Sequence, residues 1–245
     1  MPTALPHGKL TEVLPGFFFV TGTATIPGPL PMRFPQAMTV IRVGERLVIV
    51  NSFRLGDEGL AELDTLGRVT DVIRLAANHG KGDPFYQERY GAKVWALEGT
   101  PYMPGFDANA EPYFEPDVRF TASTELPIPQ ARLHVFGSKP PEAVLVLPEH
   151  GGVTIAGDAL QNMSAADSHF NWLGLLTMRT MGFLKPCNVG PGWLRQCRPP
   201  AKDLLGVLEL PAFENLLPAH GTPVLGQAQQ KLRPALERAA KTMAG

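Results

Sequence analysis

Residues 72–84, with the sequence VIRLAANHGKGDP, place an apolar run, a polar glycine-rich loop and a helix start directly after one another. The run from Val72 to Ala77 is interrupted only by Arg74 and has the length of a buried strand. Asp83 followed by Pro84 predicts a helix start, because aspartate is a good N-cap and proline suits the first helical position. A strand, a loop and a helix in this order indicate an α/β unit.

The flanking segments extend this pattern in both directions. The segment Met38 to Asn51 has two β-branched runs around Gly44, which is typical of a hairpin, and residues 56–67 predict a short helix. Further strands are predicted at Lys93 to Leu97, Arg132 to Phe136, Ala143 to Leu147 and Val153 to Ala156, and a last helix at residues 228–239, in which Pro234 predicts a kink or a later start.

Two stretches rich in turn-forming residues, 102–125 and 185–200, predict irregular structure. We find no internal repeat and no linker with a shift in composition. We therefore expect one α/β domain over residues 1–245.

Composition and charge exclude several classes of protein. Apolar residues make up 44% of the chain and charged residues 18%, which argues against a disordered chain. The 22 basic and 23 acidic residues give a net charge of −1 without a basic block, so nucleic acid is not an expected partner. The apolar run at residues 17–20 is too short for a signal peptide or a membrane span, and Cys187 and Cys197 do not form a disulfide framework. We expect a cytoplasmic protein with no membrane contact.

Three segments that each follow a predicted strand carry the candidate chemistry: residues 79–83, Gly157-Asp158 and His220-Gly221. Loops at the carboxyl ends of strands are where α/β proteins place ligands and reactive groups. Imidazole nitrogens and carboxylate oxygens bind zinc or iron. These segments predict a site for one metal ion, zinc or iron, with the ligands His79, Asp83, Asp158 and His220.

The order of a hairpin, a strand with a His-x-x-x-Asp loop, a strand ending in Gly-Asp, and a late Ala-His-Gly before a helix resembles the metallo-β-lactamase-like superfamily. The resemblance extends over roughly residues 38–240, and this region contains most of the predicted elements. It implies an α/β fold of the αββα sandwich type and an ancestry among metal-dependent hydrolases.

The resemblance also implies which ligands this chain has lost. In the active hydrolases the first loop reads His-x-His-x-Asp-His, and a further histidine lies in a later Gly-His segment. Lys81 and Pro84 stand where the second and third histidines belong, and Gly137-Ser138 takes the place of the Gly-His segment. Four of the seven family ligands remain, so the resemblance implies at most a mononuclear site.

Each candidate has a simpler structural interpretation beside the functional one. Lys81 and Asp83 are the catalytic candidates, and Lys81 would supply the positive charge of the missing metal ion, or is instead a solvated loop lysine. Asp83 is a ligand or only an N-cap, and His169 is a replacement ligand or a residue at a helix start. Lys81, Ser138 and His169 are the candidates for substrate binding.

The apolar segment 168–184 predicts a mostly buried helix or a cover over the site. If its apolar stripe is exposed, it would form a lid or the contact of a homodimer.

The candidate residues and the resemblance leave three alternative functions open. The first is a metal-dependent hydrolase of a small ester, lactone, amide or phosphoester, with one zinc or iron ion. The second is a non-catalytic protein that lost its metal and binds an anionic small molecule. The third is a non-haem iron protein for oxygen chemistry.

Overall fold

The computed structural model describes residues 3–104 and 111–245, which form two β-sheets with helices on both outer sides. The first sheet has seven strands in sequence order, β1 (Thr11–Leu14), β2 (Phe17–Ile26), β3 (Met32–Val43), β4 (Arg46–Val50), β5 (Arg68–Arg74), β6 (Lys93–Leu97) and β7 (Val118–Phe120). The second sheet has five strands in the order β14-β13-β10-β9-β8, namely β8 (Arg132–Phe136), β9 (Glu142–Leu147), β10 (Val153–Ala156), β13 (Asn215–Pro218) and β14 (Val224–Leu225). A small antiparallel pair joins β11 (Leu160–Gln161) to β12 (Asn188–Val189).

The first sheet changes from antiparallel to parallel pairing at β4. Strands β3 and β4 form the predicted hairpin around Gly44, whereas β4, β5, β6 and β7 pair in parallel. Parallel neighbours need a crossover connection. Helix α1 (Asp57–Leu66) and helix α2 (Asp83–Tyr90) supply the first two of these crossovers.

Three apolar layers hold the elements together. The layer between the sheets includes Phe17, Ile73 and Leu145, and the layer under α1 and α2 includes Leu63 and Tyr86. The third layer lies under α4 (Pro191–Cys197), α5 (Ala201–Gly206) and α6 (Ala228–Ala244) on the second sheet. This arrangement confirms the predicted αββα sandwich, while one domain over residues 1–245 stays a prediction.

Several predicted boundaries were wrong. The strand expected at residues 72–77 begins at Arg68 and ends at Arg74. Gly82, not Asp83, is the N-cap of α2, and Asp83 is the first helical residue. The two stretches predicted to be irregular also contain regular elements. Strand β12 and helix α4 lie within residues 185–200, with Pro191 in the first turn of α4. Strand β7 lies within residues 102–125. Residues 105–110 of that second stretch lie outside the described residues.

The predicted helix at 168–184 is a shorter helix, α3 (Trp172–Thr180), with its start fixed to β3. The side-chain oxygen of Asn171 accepts from the backbone N–H of Gly174 at 2.8 Å and from that of Arg33 at 3.1 Å. Trp172 is 69% exposed and Leu176 is 54% exposed, whereas Met178 is buried. The segment is therefore a cover with one exposed face, not a buried helix. Among the described residues, no helix is long and apolar enough to cross a membrane.

Candidate metal centre

Both sheets contribute to a cluster of three potential metal ligands. His79 follows β5 of the first sheet, Asp158 follows β10, and His220 follows β13. Strands β10 and β13 are parallel neighbours, so their carboxyl ends lie at the same sheet edge. One ligand atom from each of the three residues lies within 4.8 Å of the other two. We call His79, Asp158 and His220 the donor cluster.

Asn51 at the end of β4 holds the two sheets in register beside this cluster. Its side-chain amide donates to the carbonyl of Ala156 at 3.1 Å, and its side-chain oxygen accepts from the N–H of Leu75 at 3.2 Å. Asn51 is 2% exposed, and a buried amide with both ends bonded fixes the strands that it joins. The first sheet thereby presents His79 to Asp158 and His220.

Asp158 lies at the centre of the donor cluster. Its Oδ1 is 3.0 Å from Nε2 of His220 and 3.4 Å from Nε2 of His79. Its Oδ2 accepts a hydrogen bond of 3.2 Å from the side-chain amide of Asn78. The carboxylate therefore faces both imidazoles with one oxygen and is oriented through the other.

His220 is oriented as a metal ligand would be. Its Nδ1 lies 2.9 Å from the carbonyl oxygen of Pro35, so Nδ1–H donates there and Nε2 faces Asp158. Metal-binding histidines commonly use this bond to a carbonyl to fix the tautomer and the ring. Gly221 has a φ of 94°, and a Cβ at this position would lie 1.9 Å from the carbonyl oxygen of Asn162. Glycine after His220 is thus required by the backbone.

His79 carries an unsatisfied nitrogen. Its Nε2 is buried and makes no hydrogen bond with any residue that the structure describes, although Oδ1 of Asp158 lies 3.4 Å away. An unpaired polar atom in the interior costs about 1–3 kcal/mol and calls for an explanation. A metal ion between His79, Asp158 and His220 would satisfy this nitrogen.

Burial and the neighbouring charges shift the pKa values of the three cluster residues in opposite directions. Burial lowers the pKa of His79, and the carboxylate of Asp158 only partly offsets this effect. Burial also acts to lower the pKa of His220, but the hydrogen bond and charge of Asp158 prevail and raise it. Burial acts to raise the pKa of Asp158, but the two histidines hold it well below its ordinary range. Asp158 is therefore an ionised carboxylate, as a metal ligand must be.

The structure places Asp83 outside the donor cluster. Its carboxylate accepts hydrogen bonds from the hydroxyls of Ser52 and Tyr102. Burial raises its pKa to about 6, against these two hydrogen bonds and the charge of Arg74. The side chain is fully buried and is not among the described residues that line the cavity. The geometry thus brings together three of the four predicted ligands and commits the fourth to other partners.

Arg74, which was not among the predicted site residues, organises the loop that carries His79. Its Nε donates to the carbonyl of His79 at 2.8 Å, and its terminal nitrogens donate to the carbonyls of Thr100 and Ala77. Its guanidinium also lies 3.8 Å from the ring centre of Tyr102. A charged residue inside the otherwise apolar run of residues 72–77 was the available signal.

The same loop needs glycine at position 80. Gly80 has a φ of 73°, and a Cβ there would lie 2.4 Å from Oδ2 of Asp83 and 2.9 Å from the side chain of Arg74. The chain can pass this close to the buried guanidinium and carboxylate only without a side chain.

The remaining predicted residues fall in different places. Lys81 is exposed to solvent and lines the cavity beside the donor cluster. Partial desolvation there and the charge of Arg74 lower its pKa, while the charge of Asp158 acts to raise it. Ser138 and His169 are not among the described cavity residues. The Ser138 hydroxyl donates to the carbonyl of Pro140, and Nδ1 of His169 lies 2.9 Å from the hydroxyl of Thr23.

The donor cluster opens into a cavity of about 280 Å³. Its walls come from the ends of β2 and β3 that face α3, from α3 and the segment after it, and from α4. The ring of Phe34 lies 5.9 Å from that of His220, so an apolar wall adjoins the cluster directly. This composition suits a small organic molecule with an apolar part.

Comparison with known proteins supports this architecture. No family model matches the chain, and no curated protein matches it significantly. Solved protein structures, in contrast, do match the fold of this chain. The metallo-β-lactamase FIM-1 from Pseudomonas aeruginosa in its mono-zinc form has a TM-score of 0.62 at 12% identity, with 98% of both chains covered.

Two further structures agree with this result. VMB-1 has a TM-score of 0.64 at 12% identity, with 100% of both chains covered. A metallo-β-lactamase from Hirschia baltica has a TM-score of 0.57 at 17% identity, with 98% of both chains covered. At such identities the likeness concerns the fold, and the chain therefore has the metallo-β-lactamase fold.

Proposed function

We propose that this protein is a hydrolase that uses a single zinc ion, bound by His79, Asp158 and His220, to cleave a small ester, lactone, amide or phosphoester. The observation that carries the proposal is Nε2 of His79, which is buried, makes no hydrogen bond within the described residues and faces the same carboxylate oxygen as Nε2 of His220. The mono-zinc form of FIM-1, which has a similar fold, is consistent with one metal ion.

The number and the chemical type of the three donor residues fit a zinc site. Catalytic zinc sites use three protein ligands and leave a fourth position open, and two histidines with one carboxylate are a common combination. The hydrogen bonds from His220 to Pro35 and from Asn78 to Asp158 supply the outer contacts that orient the ligands. Zinc in such sites supplies an acidified water molecule and a Lewis acid for a carbonyl or phosphoryl oxygen.

The other cavity residues would bind and orient the substrate. Lys81 lines the cavity and would hydrogen-bond to a substrate oxygen that carries negative charge. Phe34 beside His220 would exclude water from the reacting group. Asp83 is bonded to Ser52 and Tyr102, so the proposal gives it no part in the proton transfer.

Metal titration of the chelator-treated protein tests the proposal. We expect one zinc ion per chain in the unmodified protein and none in His220→Ala. His134→Ala serves as the control, because Nε2 of His134 contacts the carbonyl of Asp203 and takes no part in the cluster. Hydrolysis of nitrophenyl esters should then appear only in the zinc-loaded proteins. Failure to bind zinc, manganese or ferrous iron would contradict the proposal.

The bonds that engage Asp83 favour one second candidate, a binding protein that has lost its metal. A side chain held by Ser52 and Tyr102 no longer serves as a ligand, so the site is poorer in donors than the resemblance implies. In this case the protein would be stabilised against heat by an anionic small molecule and not by divalent cations. Stoichiometric iron with an optical absorption band would instead favour the non-haem iron function.

A further inference from the structure

Methionine side chains form much of the cavity wall. Five of the eight methionines in the chain line it: Met32, Met103, Met163, Met178 and Met181. They come from β3, from two loops, and from α3 and its end, so the fold and not a local sequence run brings them together. Methionine is flexible and polarisable, and surfaces rich in it accommodate apolar chains of varied shape.

Aromatic residues complete this apolar wall. Phe34 adjoins His220, and Phe183 packs on Gly192 of α4, where a Cβ would lie 2.8 Å from the phenyl ring. The cavity measures about 280 Å³. A cavity of this volume has room for an apolar chain as well as a polar head group.

The polar groups of the cavity favour an oxygen-bearing head group. The guanidinium of Arg74 is bonded to backbone carbonyls and lies beside the buried Asp83, so Lys81 is the remaining cation among the described cavity residues. A carbonyl or carboxylate oxygen of a ligand would accept a hydrogen bond from the ammonium of Lys81.

We propose that the cavity binds a medium-chain acyl compound, with the tail along the methionine wall and the carbonyl or carboxylate head at Lys81 and the donor cluster. As a substrate class this rests on the proposed hydrolase, and the compound would then be an acyl ester or lactone. Binding itself does not require the metal ion.

Calorimetry on the metal-free protein tests the proposal with straight-chain carboxylates from butanoate to dodecanoate. We expect the affinity to rise about fourfold for each added methylene group, the factor for full burial of each CH₂. The rise should level off once the added carbons extend beyond the methionine wall. An affinity that does not depend on chain length would overturn the proposal.

Variants locate the two ends of the ligand. Met178→Gln preserves side-chain size but adds polar atoms to the wall, so it should weaken nonanoate binding about tenfold. The control Met243→Gln on α6 lies outside the described cavity residues and should bind nonanoate as the unmodified protein does. Lys81→Gln should weaken nonanoate binding and leave 1-nonanol binding unchanged. Equal loss in Met178→Gln and Met243→Gln would contradict the placement of the tail.

Zinc titration of the same preparation separates this proposal from the proposed function. Zinc binding without dependence on chain length would refute the acyl cavity alone. Dependence on chain length without zinc binding would refute the hydrolase and leave the acyl cavity as a binding site.

Discussion

The loop of residues 77–83 and the ends of β10 and β13 differ in how many of their predicted ligands face the donor cluster. At the strand ends, Asp158 and His220 face each other at 3.0 Å, and the Pro35 carbonyl orients the imidazole. In the loop, His79 joins them, but Asp83 bonds to Ser52 and Tyr102 beside the guanidinium of Arg74. The strand ends thus hold their two donors towards each other, whereas the loop directs the carboxylate of Asp83 into a buried hydrogen-bond network.

The largest expected effect is on metal affinity and separates the two aspartates. Asp158→Asn should weaken zinc binding more than about 100-fold, because changes to outer contacts alone cost 10–100-fold. Asp83→Asn should change it less than about tenfold, since its partners are Ser52 and Tyr102. Competition titration against a zinc-binding dye measures both, and equal losses would show that the loop still supplies a ligand.

The next effect is on global stability. Arg74→Met should lower the free energy of unfolding by about 3–5 kcal/mol, because it leaves the Asp83 carboxylate without its buried countercharge and several carbonyls without a donor. Urea unfolding measures the loss, and Arg238→Met, at an exposed position of α6, is the control. A loss below about 1 kcal/mol would contradict the role given to Arg74.

The pH dependence of the free energy of unfolding reports on the carboxyl group of Asp83. Because its folded pKa of about 6 lies above the ordinary 3.8, the folded state holds the proton more tightly. The protonated carboxyl group of Asp83 therefore stabilises the folded state fully below pH 3.8. This contribution is lost as the pH rises to about 6 and beyond. Relative to Asp83→Asn, the unmodified protein should lose on the order of 3 kcal/mol between pH 4 and pH 7, since one pKa unit is worth about 1.4 kcal/mol. Parallel pH profiles from urea unfolding of the two proteins would contradict the raised pKa.

The smallest expected effect concerns the cover, α3. Asn171→Ala removes the acceptor for the N–H groups of Gly174 and Arg33 and should lower stability by about 1 kcal/mol. Asn171→Ser keeps a cap oxygen and should recover part of the loss. Amide hydrogen exchange over α3 measures the effect locally, and unchanged exchange in Asn171→Ala would show that the cap does not hold the cover.

The sequence predicts the fold and the three residues of the donor cluster for physical reasons. Apolar runs mark the strands, and Asp158 and His220 directly follow two of them, so parallel pairing brings them together. The fate of Asp83 depends on Ser52 and Tyr102, which are 31 and 19 residues away and carry no motif. The methionine wall is assembled from segments between positions 32 and 181, so no local pattern announces it.

The number of metal ions per chain tests the central claim most directly. The donor cluster of His79, Asp158 and His220 predicts one zinc ion in the chelator-treated and reconstituted protein, with loss of that ion in Asp158→Asn and retention in Asp83→Asn. A count of two zinc ions, or of none, would contradict the account, and so would loss of the ion in Asp83→Asn.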